Sequence, residues 1–346
     1  MYLPLTSANI EIAVSVIKNG GLVAFPTETV YGLGADALNT KALAKIFETK
    51  RRPFFDPLII HIAELASLQK IIDYKALGDV QKDMLLKISG LLWPGPLTLV
   101  LPKLSIVPDL ATAGLPSVAV RFPNHDGALE LIRKSTGLIA APSANPFGYL
   151  SPTLAEHVRD QLGGMVDIIL DGGRTGIGVE STVLDLTHNA PRILRQGGTT
   201  QEQIEAVTGS IAHNTGTSRA SPGLLKSHYA PHTPLFLYTA EEMTSLDVHA
   251  DKTEVFLFFD KATFDKWAAR NKTYDIQNIF ILSETGSEYE AASNLFETLH
   301  IIDKLHVSAI NAQKCRESGL GRAINDRLKK ASAANMHPDM MFITKK

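Results

Sequence analysis

Apolar runs of strand length alternate with segments of helical periodicity from residue 7 to residue 207 of this 346-residue chain. That alternation predicts an α/β domain, because each helix has to bury its apolar stripe against a sheet. Strand-like runs cover 22–25, 57–62, 96–102, 117–122, 137–142, 167–173, 181–186 and 192–195. Ser7 is expected to cap a first helix carrying Ile10, Val14 and Ile17, which ends at Gly20-Gly21. A second helix places Leu43, Ile46 and Phe47 on one face and stops at Pro53, and further helices are expected over 79–93, 126–135, 153–162 and 200–207. The strands are too numerous for a simple βαβ repeat, so a mixed, twisted sheet is expected.

The pattern breaks at 207–233, where Ser, Thr, Gly, Pro, Asn and His dominate, as in an interdomain linker. Beyond it "LFLYT", "EVFLFF" and "IFILS" read as strands, with helices near 261–270 and 288–305 and a last one over "AINDRLKKASA". The predicted organisation is a domain over 1–206, a linker over 207–233 and a smaller Rossmann-like α/β domain over 234–346.

Composition narrows the function. Thirty-four basic residues stand against thirty-six acidic ones, a formal charge of −2, whereas a protein that lives by gripping nucleic-acid phosphates carries a basic excess. Cys315 is the single cysteine, which excludes an intramolecular disulfide and suits a reducing compartment. With no signal-peptide pattern at the N-terminus and no apolar run of spanning length, a cytoplasmic protein without membrane contact is expected.

The chemistry-bearing stretches sit where strands end. "FPTETVYGLG" (25–34) interrupts a buried strand with Thr27, Glu28 and Thr29. Gly32–Ala37 fits GxGxxA, yet polar residues intervene before it, and Lys50 and Arg52 stand where a ribose-binding acid belongs; as a dinucleotide fingerprint the match is weak. Lys50-Arg51-Arg52-Pro53 either complements a helix dipole or holds an anion where the chain turns. In "SVAVRFP", strand alternation puts Val118, Val120 and Phe122 on one face and Ser117, Ala119 and Arg121 on the other; a solvated strand face gives the same pattern, and the Arg121 fork is also well placed to read a carboxylate. Ser143 and Asn145 lie between two prolines, and "DGGRTGIGVEST" brings a glycine-rich turn up to Glu180 and Ser181. His61, His228 and His232 are scattered rather than spaced as metal ligands, and no GxSxG or Walker A motif is present. A polar, cationic cleft without an obvious nucleophile suits positioning and electrostatic stabilisation of phosphates, as phosphoryl and nucleotidyl transfer require.

Taken in order, "FPTETVYGLG", "KRRPFFDPLIIH", "WPGPLT", "TAGLPSVAVRFP", "APSAN" and "GVESTVLDL" resemble the YrdC/Sua5 family. "PGLLKSHYAP" and "GLGRAINDRL" are similar to its longer Sua5 form, so the resemblance spans essentially the whole chain. It implies a YrdC-like open twisted sheet with a positive concave cleft, joined to a smaller α/β domain. It also implies a nucleotidyltransferase that makes threonylcarbamoyl-adenylate and pyrophosphate from L-threonine, bicarbonate or CO₂, and ATP. The product then passes to the complex that installs t⁶A at position 37 of ANN-decoding tRNAs. By resemblance, Thr27, His61, Arg121 and Ser181 hold L-threonine, while Lys50 and Arg52 serve catalysis by neutralising the triphosphate. Ser117, Ser143, Asn145, Ser151 and Arg195 line the ATP side, Mg²⁺ bridges the phosphates, and His228 and Tyr229 on the linker close over ATP as a lid.

One departure is the pair of aromatics in "KRRPFFDP", where relatives carry smaller or polar residues. Two other classes stay open: an RNA- or tRNA-binding module, for which a weak tRNA contact would suffice, and a component of a carbamoyltransferase. Near-neutral charge counts against the first, and the Sua5-type C-terminal segment against the second.

Overall fold

The computed structural model describes residues 1–212, 228–248, 253–272 and 274–333. The chain divides into two compact units, Met1–Phe147 with Ser151–Leu224, and Gly148–Leu150 with Leu225–Lys346. Residues 213–227 of the expected linker lie outside the described residues.

In the first unit the strands are β1 (Tyr2–Pro4), β2 (Val23–Phe25), β3 (Gly32–Asp36), β4 (Ile59–Ile62), β5 (Leu97–Pro102), β6 (Ser117–Arg121), β7 (Leu138–Ala140), β8 (Ile168–Asp171), β9 (Thr182–Asp185) and β10 (Arg192–Arg195). Its helices are α1 (Ser7–Lys18), α2 (Thr40–Lys50), α3 (Asp79–Leu91), α4 (Asp109–Thr112), α5 (Asp126–Lys134), α6 (Ala155–Leu162) and α7 (Gln201–Thr208). The strands form one mixed sheet in the order β1-β8-β2-β3-β7-β4-β6-β5-β9-β10. Period-2 alternation splits its side chains between two cores. Ala24, Ile60, Ile62, Val118, Val120, Leu97 and Leu99 join Leu43, Ile46 and Phe47 of α2 in one core. Val23, Phe25 and Ile139 join Ile10, Val14 and Ile17 of α1 in the other. Each of these large side chains stabilises the fold by roughly 1.5–3 kcal/mol on burial.

Three local readings change. The cap of α1 is Thr6, whose hydroxyl accepts from Asn9 N at 3.3 Å, and Ser7 is the first helical residue. The GxGxxA stretch is not a strand-to-helix turn: Gly32–Asp36 is β3 itself, antiparallel to β2 with Phe25 opposite Gly32 and Val23 opposite Gly34. A Cβ on Gly34 would come within 2.7 Å of the Phe25 ring and 2.9 Å of Ile139, so close packing rather than a phosphate turn demands glycine there. Helix α2 ends one turn before Pro53 because Arg51 adopts the left-handed conformation, φ 51°.

The second unit holds a four-stranded, all-parallel sheet ordered β11-β14-β12-β13, with β11 (Leu235–Tyr238), β12 (Glu254–Asp260), β13 (Ile279–Ser283) and β14 (Ala309–Gln313). Helices α8 (Ala240–Ser245), α9 (Lys261–Arg270) and α10 (Glu288–Asp303) connect these strands and α11 (Gly321–Ala333) follows β14, as in other parallel α/β sheets. β14 was absent from the sequence reading. Among the described residues no helix is long and apolar enough to cross a membrane.

Candidate functional site

Because Val118, Val120, Leu97, Leu99, Ile60 and Ile62 face one core, the residues between them face the other side of the sheet. There the register aligns Ile139 of β7, His61 of β4, Arg121 of β6, Thr98 of β5 and Val183 of β9 in one row. Three polar side chains thus lie side by side, each positioned by a rigid strand.

Arg121 is 4% exposed and reaches the loop between β2 and β3. Its Nη1 donates to Thr29 Oγ1 at 2.9 Å, its Nε donates to Gly95 O at 3.4 Å, and its Nη2 lies 2.7 Å from Glu28 Oε2. Thr27 does not touch Arg121 directly. Its hydroxyl donates to Val30 O at 2.8 Å and lies 2.8 Å from Thr29 Oγ1, so Thr27 shapes the loop that presents Thr29 and Glu28. Neutral His61 follows from burial: with Arg121 adding to the effect, its imidazole is pushed down to about 3.

A second network borders the row. Thr98 Oγ1 and Ser181 Oγ are 2.7 Å apart, and Arg195 Nη2 donates to the Ser181 carbonyl at 2.9 Å and to its hydroxyl at 3.2 Å. The chain reaches Ser181 through a tight crossing at Gly197, where a Cβ would fall 2.3 Å from Glu180 O and 2.4 Å from Thr182 N. Beside it, Ser151 Oγ donates to Glu180 Oε1 at 2.5 Å.

The cations after α2 are inward-facing. Lys50 Nζ donates to Ser143 O at 2.6 Å and also to Asn145 O, so the ammonium ties α2 to the loop after β7. Burial holds this ammonium well below the usual lysine range; Arg52 pushes the same way, and Asp56 and Glu180 oppose. Arg52 donates from Nε to Asp56 O at 3.0 Å and from Nη2 to Pro57 O at 2.7 Å, and it pairs with the Asp56 carboxylate at 2.9 Å. Burial keeps the Asp56 carboxyl above its ordinary range, against the pull of Arg52, Lys50 and Arg195. Phe54 and Phe55 are exposed on the turn between, where Asp56 N donates to Pro53 O at 3.1 Å.

The loops that carry these groups are tied to one another. Ile177 N donates to Glu28 O at 2.8 Å, Ala144 N to Tyr31 O at 2.8 Å and Tyr31 N to Pro152 O at 2.9 Å. The structure therefore gathers Glu28, His61, Arg121, Ser181 and Arg195 along one side of the sheet, with Thr27 behind them in the loop. It links Lys50, Ser143 and Asn145 into a second group. Ser117 stands apart, at the opposite end of β6 from Arg121 and about 13 Å along the strand.

His228 and Tyr229 belong to the second unit. Tyr229, at φ 61°, lies under the Arg327 guanidinium at 5.0 Å and 5.8 Å from the Phe296 ring, and His228 N donates to Lys330 O at 3.3 Å. His232 pairs with Asp303 at 2.7 Å, and that carboxylate raises its imidazole above the ordinary range. The remainder of the expected lid, 213–227, falls outside the described residues.

Sequence reading missed Thr98 and Asp56 as site groups. Thr98 had a signal, since it is the lone hydroxyl inside "PLTLVLP".

Residues 15–197 match the profile of the Sua5–YciO–YrdC family, described as "Telomere recombination". Residues 199–333 match "Threonylcarbamoyl-AMP synthase, C-terminal domain". A Pyrococcus abyssi protein named threonylcarbamoyl-AMP synthase is 44% identical over 330 residues, covering 93% of this chain and 94% of its own length. A Bacillus subtilis protein of that name is 39% identical over 340 residues, 96% of both chains. The crystal structure of P. abyssi Sua5 complexed with L-threonine superposes with a TM-score of 0.82 at 38% identity, covering 96% of this chain and 97% of that one.

Proposed function

The chain belongs to the Sua5–YciO–YrdC family, and we propose from that membership that it is a threonylcarbamoyl-AMP synthase. It condenses L-threonine, bicarbonate or CO₂ and ATP into threonylcarbamoyl-adenylate and pyrophosphate. The observation that carries this reading is the full-length likeness to the two synthases, over both the family segment and its C-terminal partner. The buried row of His61, Arg121 and Thr98, bordered by Ser181, supports it as an amino-acid subsite.

In this reading Arg121 meets the threonine carboxylate. Its guanidinium has five N–H donors, and those on Nη2 make no directed hydrogen bond among the described residues. Neutral His61 packs beside the substrate without adding a second cation. The threonine amine becomes a carbamate, and a carbamate oxygen attacks the α-phosphorus of ATP. A new P–O bond forms as the bond to the β-phosphate oxygen breaks and pyrophosphate departs. Lys50 and Arg52 set the positive potential for that departure while holding the loops that contain Ser143, Asn145 and Asp56. Ser151 and Arg195 line the nucleotide side.

Among the described residues no group of three Asp, Glu, His or Cys side chains is placed to hold a metal. We propose that Mg²⁺ enters with ATP, carried on its phosphates, where it would neutralise their charge. A cytoplasmic setting, with delivery of the product to tRNA-modifying proteins, completes the proposal.

Pyrophosphate release with each substrate omitted in turn tests the function. Release is expected only when threonine, bicarbonate and ATP are all present, and release indifferent to threonine would sink the assignment.

A further inference from the structure

Glu28 has no role in the reading above, yet it is the carboxylate against the Arg121 guanidinium, with side chains 13% and 5% exposed. We infer that Glu28 receives the amine of the amino-acid substrate and takes up the proton released when the carbon–nitrogen bond forms. The inference deepens the synthase reading and rests on it.

Three observations carry it. First, the pair is close without being closed: Nη2 and Oε2 are 2.7 Å apart, but neither Glu28 oxygen nor Arg121 Nη2 makes a directed hydrogen bond among the described residues. Buried polar groups with open hydrogen-bonding capacity are costly unless a ligand completes them. Second, the pair is fixed from behind. Arg121 is held by Thr29 Oγ1 and Gly95 O, and the Glu28 backbone by the bond from Ile177 N at 2.8 Å, so both charged ends point to the same place. Third, the charges balance. A buried cation beside a buried anion is neutral as a unit, and an α-amino acid brings one carboxylate and one ammonium separated by a single carbon. Its carboxylate meets Arg121, its amine meets Glu28, and the site stays neutral. A plain carboxylic acid would instead leave two carboxylates facing one guanidinium. The nearby groups do not compete for this role: burial lowers the His125 imidazole against the opposing pull of Glu28, and His61 is neutral near pH 7.

The chemical step balances. The bound ammonium first gives one proton to water; the neutral amine so formed donates its lone pair to the carbon of CO₂, a C=O π bond opens to a carboxylate oxygen, and the second N–H proton moves to Glu28. The products are the carbamate anion and a protonated Glu28, which returns its proton to water before the next turnover.

Calorimetric titration of the full-length protein with L-threonine and with 3-hydroxybutanoate, the same acid without its amine, tests the assignment. The wild type is expected to prefer threonine by at least about tenfold. Glu28→Gln leaves Arg121 without a counter-charge. It should weaken threonine about tenfold and strengthen 3-hydroxybutanoate, so the preference collapses, which loop damage alone would not produce. An unchanged preference in Glu28→Gln overturns the assignment while the synthase reading stands. Failure of the wild type to bind threonine overturns both. Should the glutamine variant not fold, Glu28→Asp decides. It keeps the charge but withdraws it by one methylene, so threonine should weaken several-fold while 3-hydroxybutanoate is unchanged; equal losses for both overturn the assignment.

Discussion

Thr98 Oγ1 and Ser181 Oγ lie 2.7 Å apart, joining adjacent strands β5 and β9 at the point where Arg195 also reaches Ser181. The bond orients the Ser181 hydroxyl toward the row that contains Arg121. Thr98→Val keeps the shape and removes the hydroxyl, leaving Arg195 as the one remaining partner of the Ser181 hydroxyl among those described above. Its stability cost is expected near 1 kcal/mol, and kcat/KM for threonine should fall about tenfold. Steady-state pyrophosphate release checks this, together with Ser181→Ala and the double variant. If the two hydroxyls act as a unit, the double variant is no worse than Ser181→Ala; additive losses would show that they act separately.

Gly197 offers a test of backbone crossing. Alanine there would place a Cβ 2.3 Å from Glu180 O and from Ser181 C, atoms that cannot swing aside as side chains do. Gly197→Ala is expected to cost about 3 kcal/mol, read from the denaturant midpoint. Gly90 in α3 is the control, with nothing within 4 Å of its added Cβ. Gly90→Ala should raise stability by about 0.5–1 kcal/mol, because only the unfolded chain loses freedom. Similar effects at both positions would overturn the steric argument.

Much of this geometry was legible in the sequence, and the exceptions have physical causes. Alternation alone placed Arg121 opposite Val118 and Val120, since a strand fixes the faces whatever its neighbours are. β14 went unread because Asn311 and Gln313 interrupt its apolar pattern; Gln313 is buried by bonding to Thr263 Oγ1 at 3.0 Å and Phe259 N at 2.9 Å, a compensation supplied from far along the chain. β3 went unread because glycines carry no β signal, and the close approach of Phe25 and Ile139 to Gly34, and of Ala141 to Gly32, comes from neighbouring strands and the loop after β7. The partners of Arg121 and Thr98 stand 92 and 83 residues away, a separation no local pattern encodes.

His61 makes stability depend on pH. In the folded protein its imidazole titrates at about 3, against 6.5 when unfolded. Between those values the unfolded chain binds a proton that the folded chain does not, so lowering the pH favours unfolding. The contribution is intact above pH 6.5 and is lost at roughly 1.4 kcal/mol per unit as the pH falls toward 3. His61→Gln removes the titration. Whatever its deficit against wild type at pH 7, that deficit should narrow by roughly 2 kcal/mol at pH 5 in parallel urea titrations. A constant deficit would mean that His61 is protonated in the folded state.

Lys50 separates a structural cation from a substrate-binding one. Its ammonium is 1% exposed and donates to Ser143 O at 2.6 Å and to Asn145 O. Each charge-assisted bond contributes about 1.5–3 kcal/mol, offset in part by the cost of burying the charge. Lys50→Met relieves that cost but orphans two carbonyls, so a net loss of about 2–4 kcal/mol is expected in denaturant unfolding. Because the loop it anchors carries Ser143 and Asn145, KM for ATP should rise more than KM for threonine. Lys50→Arg keeps the charge, but its planar fork cannot place donors as an ammonium does, so most of the stability loss should remain. If Lys50→Met were as stable as wild type while losing ATP affinity, the ammonium would be serving phosphates directly and the two carbonyl bonds would be incidental.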